Sequence, residues 1–106
     1  MGIFDFFRGP DINQGVNMYK DTENAVLIDV REKDEYAEGH IPGSINIPLS
    51  QINLIRNRIP KKDTPLFIYC LSGGRSANAT SLITGMGYNV VNNIGGISSY
   101  SGALER

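Results

Sequence analysis

Leu66-Phe67-Ile68-Tyr69-Cys70-Leu71-Ser72-Gly73-Gly74-Arg75-Ser76 passes from a short apolar run into a glycine-bearing turn, and Ala79, Leu82, Ile83 and Met86 then share one face at helical spacing. A run this short, bounded by turn residues, reads as a strand buried on both faces. A strand leading directly into an amphipathic helix is the repeating unit of α/β domains with a parallel sheet.

The flanking sequence repeats that alternation. Upstream, Ala25-Val26-Leu27-Ile28 is a second apolar run with Asp29 at its carboxyl end, preceded by a helix carrying Ile12, Val16 and Tyr19. Asp34 to Glu38 predicts a brief helix stopped by Gly39 in the left-handed position past a helix end. After the turn His40-Ile41-Pro42-Gly43, Ser44-Ile45-Asn46-Ile47 predicts another strand, and Ser50 caps a helix presenting Ile52, Ile55 and Ile59 before Pro60. Downstream, Gly87 ends the long helix, Tyr88-Asn89-Val90-Val91 predicts the fourth strand, and Gly95-Gly96 opens a last short segment ending near Tyr100. The expected architecture is a three-layer α/β sandwich with a central, mainly parallel sheet flanked by helices. One domain is expected over 1–106, with an N-terminal arm and first helix over 1–24 and the core over 25–106.

Composition agrees with one soluble globular domain: 106 residues, 41% hydrophobic and 20% charged. Ten basic against eleven acidic residues give a formal charge of −1, so no global field points to nucleic acid or anionic lipid. One cysteine cannot close an internal disulfide, and neither a signal peptide nor a spanning apolar run is visible, so a cytoplasmic protein without a membrane partner is expected. Gly2 invites a myristoylation reading, but Phe6 stands where that motif needs Ser or Thr. The apolar Ile3 to Phe7 stretch is expected to be an edge strand or an arm lying on the core, and no role is assigned to it.

The chemistry concentrates at the opening stretch. In open α/β sheets ligands sit outside the carboxyl ends of the strands. Cys70 falls at such a point, and Gly73 and Gly74 can adopt positive φ and turn successive N–H groups toward one locus. The following helix amino terminus favours a thiolate over a thiol. Arg75 is the only charged residue between Thr64 and Leu104. Its planar fork of donors matches an oxyanion, so thiolate and fork together suggest a nucleophile acting on anionic substrates. The alternatives are a buried structural cysteine and a solvated arginine.

Several separated motifs make the chain resemble the rhodanese homology domain from about Ala25 to Leu104. Cys70, Gly73, Arg75 and Ser76 are similar to the family's active-site loop. Leu27-Ile28-Asp29-Val30-Arg31 resembles its first strand end, and Glu35-Tyr36 with Gly39 to Pro48 its second signature. Gly87-Tyr88-Asn89-Val90 and Gly95-Gly96 complete the set, with Tyr100 where the family usually carries Trp.

The resemblance implies a sulfurtransferase that takes sulfane sulfur from a small anionic donor such as thiosulfate onto Cys70 and passes it to cyanide or to a low-molecular-weight or protein thiol. Leu71, Ser72, Gly73, Gly74, Arg75 and Ser76 would then bind the donor through loop amides and the Arg75 fork. Phosphatases and arsenate reductases resembling this layout carry one more residue between Cys and Arg than the four found here. A non-catalytic binding module on the same scaffold is the other alternative, which retention of Cys70 disfavours.

Asp29 and Arg31 alternate onto one side of a strand end and are read as structural support rather than as acid and anion clamp. His40 is read as a turn residue rather than a general base for Cys70. One His and one Cys are too few for a zinc site, so neither metal nor cofactor is implied. A monomer is expected.

Overall fold

In a computed structural model, which describes residues 9–106, four parallel strands stand in the order β2-β1-β3-β4. They are β1 (Val26–Asp29), β2 (Ile45–Asn46), β3 (Leu66–Cys70) and β4 (Val91–Gly96). Helices α1 (Ile12–Asp21), α2 (Lys33–Glu38), α3 (Ile55–Arg58) and α4 (Gly74–Gly85) connect them, with 3₁₀ turns at Leu49–Leu54 and Ile97–Ser99.

Strand alternation divides the core in two. Leu66, Ile68 and Cys70 of β3 pack on one face with Ile28, Ile52, Ile55, Ile59, Ala79 and Ile83. Phe67 and Tyr69 face the other way, onto Ile12 and Val16 of α1 with Leu27, Ile41, Ile94 and Ile97. All five β3 residues are buried, as a central strand covered on both sides must be. This is the expected α/β sandwich.

Local chemistry sets the helix starts. The Asp11 carboxylate accepts from the N–H groups of Asn13 at 3.0 Å and Gln14 at 3.4 Å, which caps α1. At α2, Glu32 and Glu35 form a capping box in which Glu35 accepts from the Glu32 N–H at 3.0 Å.

Five details depart from the sequence reading. The fourth strand begins at Val91 rather than Tyr88, because Tyr88 is buried and its hydroxyl donates to the Ile59 carbonyl at 2.5 Å, anchoring the turn instead of a ladder. The stretch after Pro48 is a 3₁₀ turn kinked at Gln51, not a helix capped by Ser50; the Leu49 N–H is taken by the Val30 carbonyl at 3.0 Å, which pins the chain to the end of β1. Leu82 is exposed, since the buried face of α4 runs through Ser76, Ala79 and Ile83.

Gly39 has φ 164°, which is extended backbone, so it does not occupy the left-handed region. Its lack of a side chain serves close approach instead: a Cβ there would come within 3.1 Å of Leu104 Cδ1. Of the loop glycines only Gly73 takes a positive φ, at +109°, while Gly74 is the first residue of α4. The Ile3 to Phe7 stretch lies outside the described residues.

Candidate active site

Cys70 ends β3, and the chain must reverse at once to start α4. Gly73 makes that reversal possible, because its left-handed φ brings its own N–H back to 3.0 Å from Cys70 Sγ. The Ser76 hydroxyl lies 3.5 Å from the same sulfur. Ser76 is buried and donates to Asn93 Oδ1 of β4 at 2.7 Å, while Asn93 Oδ1 also accepts from the Gly95 N–H at 3.2 Å. The sulfur is thus held between a backbone donor and a hydroxyl that is itself fixed by the neighbouring strand.

Burial of Cys70 opposes ionisation. The Ser76 hydroxyl, together with the N–H groups of Ser76, Gly73 and Ser72, outweighs it, and the thiol sits below its ordinary pKa. Three of the expected loop amides therefore act on the sulfur. Leu71 instead exposes its side chain and gives its carbonyl to the Ser98 N–H at 3.1 Å.

Arg75 does not present an open fork. Its Nη1 donates to Glu35 Oε1 at 2.7 Å and its Nη2 to Glu35 Oε2 at 3.0 Å, a bidentate pair from α4 to α2. Hydrogen bonding to Arg75 lowers the Glu35 pKa to about 2, and the same bond raises that of Arg75. Glu35 was legible as part of a motif but not as a site residue. A solitary Arg in a long uncharged stretch was the available signal, since a partly buried guanidinium calls for a counter-charge from elsewhere in the chain. Asn93 carried no comparable signal.

Asp29 and Arg31 are buried and paired, with Arg31 Nη2 2.7 Å from Asp29 Oδ2. Asp29 Oδ1 also accepts the Arg31 N–H at 2.8 Å, and Arg31 Nη2 donates to the Gly39 carbonyl at 2.7 Å. Asn46 Nδ2 donates to the carbonyls of both residues at 2.9 Å. Through these bonds the pair braces the turn from β1 into α2. His40 stacks on Tyr36 with ring centroids 3.8 Å apart, its backbone bridges to Glu105, and its ring nitrogens meet the Tyr36 carbonyl at 2.9 Å and the Glu105 carboxylate at 3.8 Å.

A groove of about 410 Å³ borders the loop, lined by Arg31, Glu35, Glu38, Leu71, Ile97 and Leu104 together with Gly39. Among the described residues no cluster of His, Cys, Asp and Glu could hold a metal ion, and no helix is long and apolar enough to cross a membrane. The site favours the ionised form of a buried thiol.

The chain and its fold are similar to known proteins. The protein YqhL of Bacillus subtilis is 39% identical over 82 residues, covering 76% of this chain; the chain spans 64% of that relative's length. The thiosulfate sulfurtransferase PspE of Escherichia coli is 38% identical over 71 residues, 66% of this chain and 68% of PspE. A solved rhodanese with anions from E. coli superposes with a TM-score of 0.72 at 32% identity, covering 77% of this chain and 98% of that one. Residues 14–103 match the family described as the rhodanese-like domain, and the chain belongs to that family, whose relatives here include sulfurtransferases.

Proposed function

We propose that this protein is a sulfurtransferase that carries sulfane sulfur as a persulfide on Cys70. The observation that supports it most directly is the Gly73 N–H at 3.0 Å from Cys70 Sγ, in a nest closed by the Ser76 hydroxyl. A backbone donor and a hydroxyl converge on one sulfur atom, a nest suited to a thiolate and to the divalent sulfur it would gain.

With thiosulfate as donor, the Cys70 thiolate attacks the outer sulfur. The Sγ–S bond forms, the S–S bond of thiosulfate breaks, and sulfite leaves with the bonding pair. An external thiolate or cyanide then takes the outer sulfur and regenerates Cys70. The acceptor is external because Cys70 is the chain's only cysteine. In this reading the amides of Leu71, Ser72, Gly73, Gly74 and Ser76 face the donor, the Arg75 fork reaches it only by leaving Glu35, and the enzyme works as a cytoplasmic monomer; the single cysteine, which forms no internal disulfide, supports a reducing compartment.

Incubation with thiosulfate should add the mass of one sulfur, removable by cyanide, and release one sulfite per chain until an acceptor is supplied. Absence of the adduct with every donor tried, or its persistence in Cys70→Ala, would refute the assignment. Turnover of aryl phosphates dependent on Cys70 would replace it with a phosphatase.

A further inference from the structure

The bidentate contact between Arg75 and Glu35 bears on which donor the site accepts. A guanidinium whose two outer nitrogens already meet a carboxylate has no fork left for a second anion. The groove beside the loop is lined by one guanidinium, Arg31, and two carboxylates, Glu35 and Glu38; behind it Arg31 pairs with buried Asp29 and Glu35 with Arg75. Arg31 lines the groove but gives its Nε and Nη2 to Asp29 and the Gly39 carbonyl, so its charge is already balanced by a buried carboxylate. The same groove offers apolar surface from Leu71, Ile97 and Leu104, two of which, Leu71 and Leu104, are about half exposed.

We infer that Glu35 is a specificity-determining residue that occupies Arg75 and biases the site against a small dianionic donor such as thiosulfate, in favour of a singly charged organic sulfane donor with an apolar body. The inference rests on the Cys70 persulfide reading. A dianion approaching the thiolate needs an unpaired cation more than a monoanion does, because like charges repel in proportion to their product. Glu35 and Arg75 are both partly exposed, with side-chain exposures of 29% and 35%, so substitution there reaches the site without opening the core.

The chemistry balances without an oxidant or reductant. From an aromatic thiosulfonate, the Cys70 thiolate takes the terminal sulfur; the Sγ–S bond forms, the sulfur–sulfonyl bond breaks, and the arenesulfinate leaves with the electron pair. Only the leaving group and the charge differ from thiosulfate.

Glu35→Gln isolates the charge. Glutamine keeps the size of the side chain and can still accept from the Glu32 N–H in the capping box, so α2 retains its start. Each variant is assayed with thiosulfate and with benzenethiosulfonate, and each donor is compared with itself, which cancels intrinsic reactivity. Glu35→Gln should raise kcat/KM for thiosulfate by about ten-fold, mainly through KM, and change that for benzenethiosulfonate by less than about three-fold. The double variant Glu35→Gln with Arg75→Ala should lose the thiosulfate gain, since the effect operates through Arg75. Equal changes for both donors, no gain with thiosulfate, or a gain that survives loss of Arg75 would overturn the inference while leaving the persulfide intact. Failure of both donors to place sulfur on wild-type Cys70 would overturn the persulfide reading itself and this inference with it.

Discussion

At the residue scale, the thiol is governed by a contest between burial and donated hydrogen bonds, and Ser76 is the side chain that tips it. Its one hydroxyl proton goes to Asn93 Oδ1 at 2.7 Å while its oxygen accepts from the Cys70 thiol, so ionisation of Cys70 turns that proton from Asn93 toward the sulfur. Ser76→Ala removes one such bond, worth about 0.5–1.5 kcal/mol, and should slow alkylation of Cys70 by iodoacetamide at pH 7 by about two- to ten-fold. In both proteins the rate should fall as pH drops through the thiol's pKa, with the wild-type profile lying at lower pH. An unchanged rate in Ser76→Ala would remove Ser76 from the site. Cys70, Gly73, Arg75 and Ser76 were all legible from the sequence because they are adjacent. Glu35 and Asn93 were not, because their places depend on α2 and β4 folding back onto the loop, which no local pattern encodes.

At the scale of elements, the turn from β1 into α2 depends on an ion pair that water barely reaches, with side-chain exposures of 7% for Arg31 and 0% for Asp29. Burial lowers the Arg31 pKa, and hydrogen bonding and charge from Asp29 more than offset it, leaving the guanidinium firmly protonated. Asp29→Asn would leave that cation buried without a counter-ion, a situation that costs about 3–5 kcal/mol and a large part of a small domain's stability. Urea unfolding should therefore show a markedly lower midpoint; a midpoint near wild type would mean that Arg31 finds another partner or escapes to solvent.

Strand existence was readable from apolar runs at this scale, whereas strand limits were not. Asn92 and Asn93 look like a break in sequence, yet they lie within β4, where Asn92 Nδ2 donates to the Leu66 carbonyl at 3.1 Å and Asn93 serves Ser76. Tertiary hydrogen bonds override the polar composition of the edge strand.

At the scale of the whole molecule, the Cys70 loop leans on the last strand. Gly96 pairs with Cys70 across the sheet, and a Cβ on Gly96 would collide with the Leu71 carbonyl and with Ser72 Cα at 2.6 Å. The constraint is steric, since Gly96 has an ordinary φ of −125°. Gly96→Ala should push the loop off the strand, costing about 1–3 kcal/mol of stability and at least about ten-fold in the rate of sulfur loading from thiosulfate. Normal loading in a variant of reduced stability would show that the loop tolerates the shift.

That buttress fixes the order in which the protein becomes competent during synthesis. Cys70 leaves the ribosome before Asn93, Gly96 and Ser98, the residues that orient its serine, flank its loop and bind the Leu71 carbonyl. β3 and β4 are parallel, so they are joined by a crossover and cannot zip from a hairpin. A nascent chain that has exposed only the cysteine therefore lacks the strand that holds Ser76 and buttresses the loop, and the arrangement around the sulfur is complete only once β4 has been made.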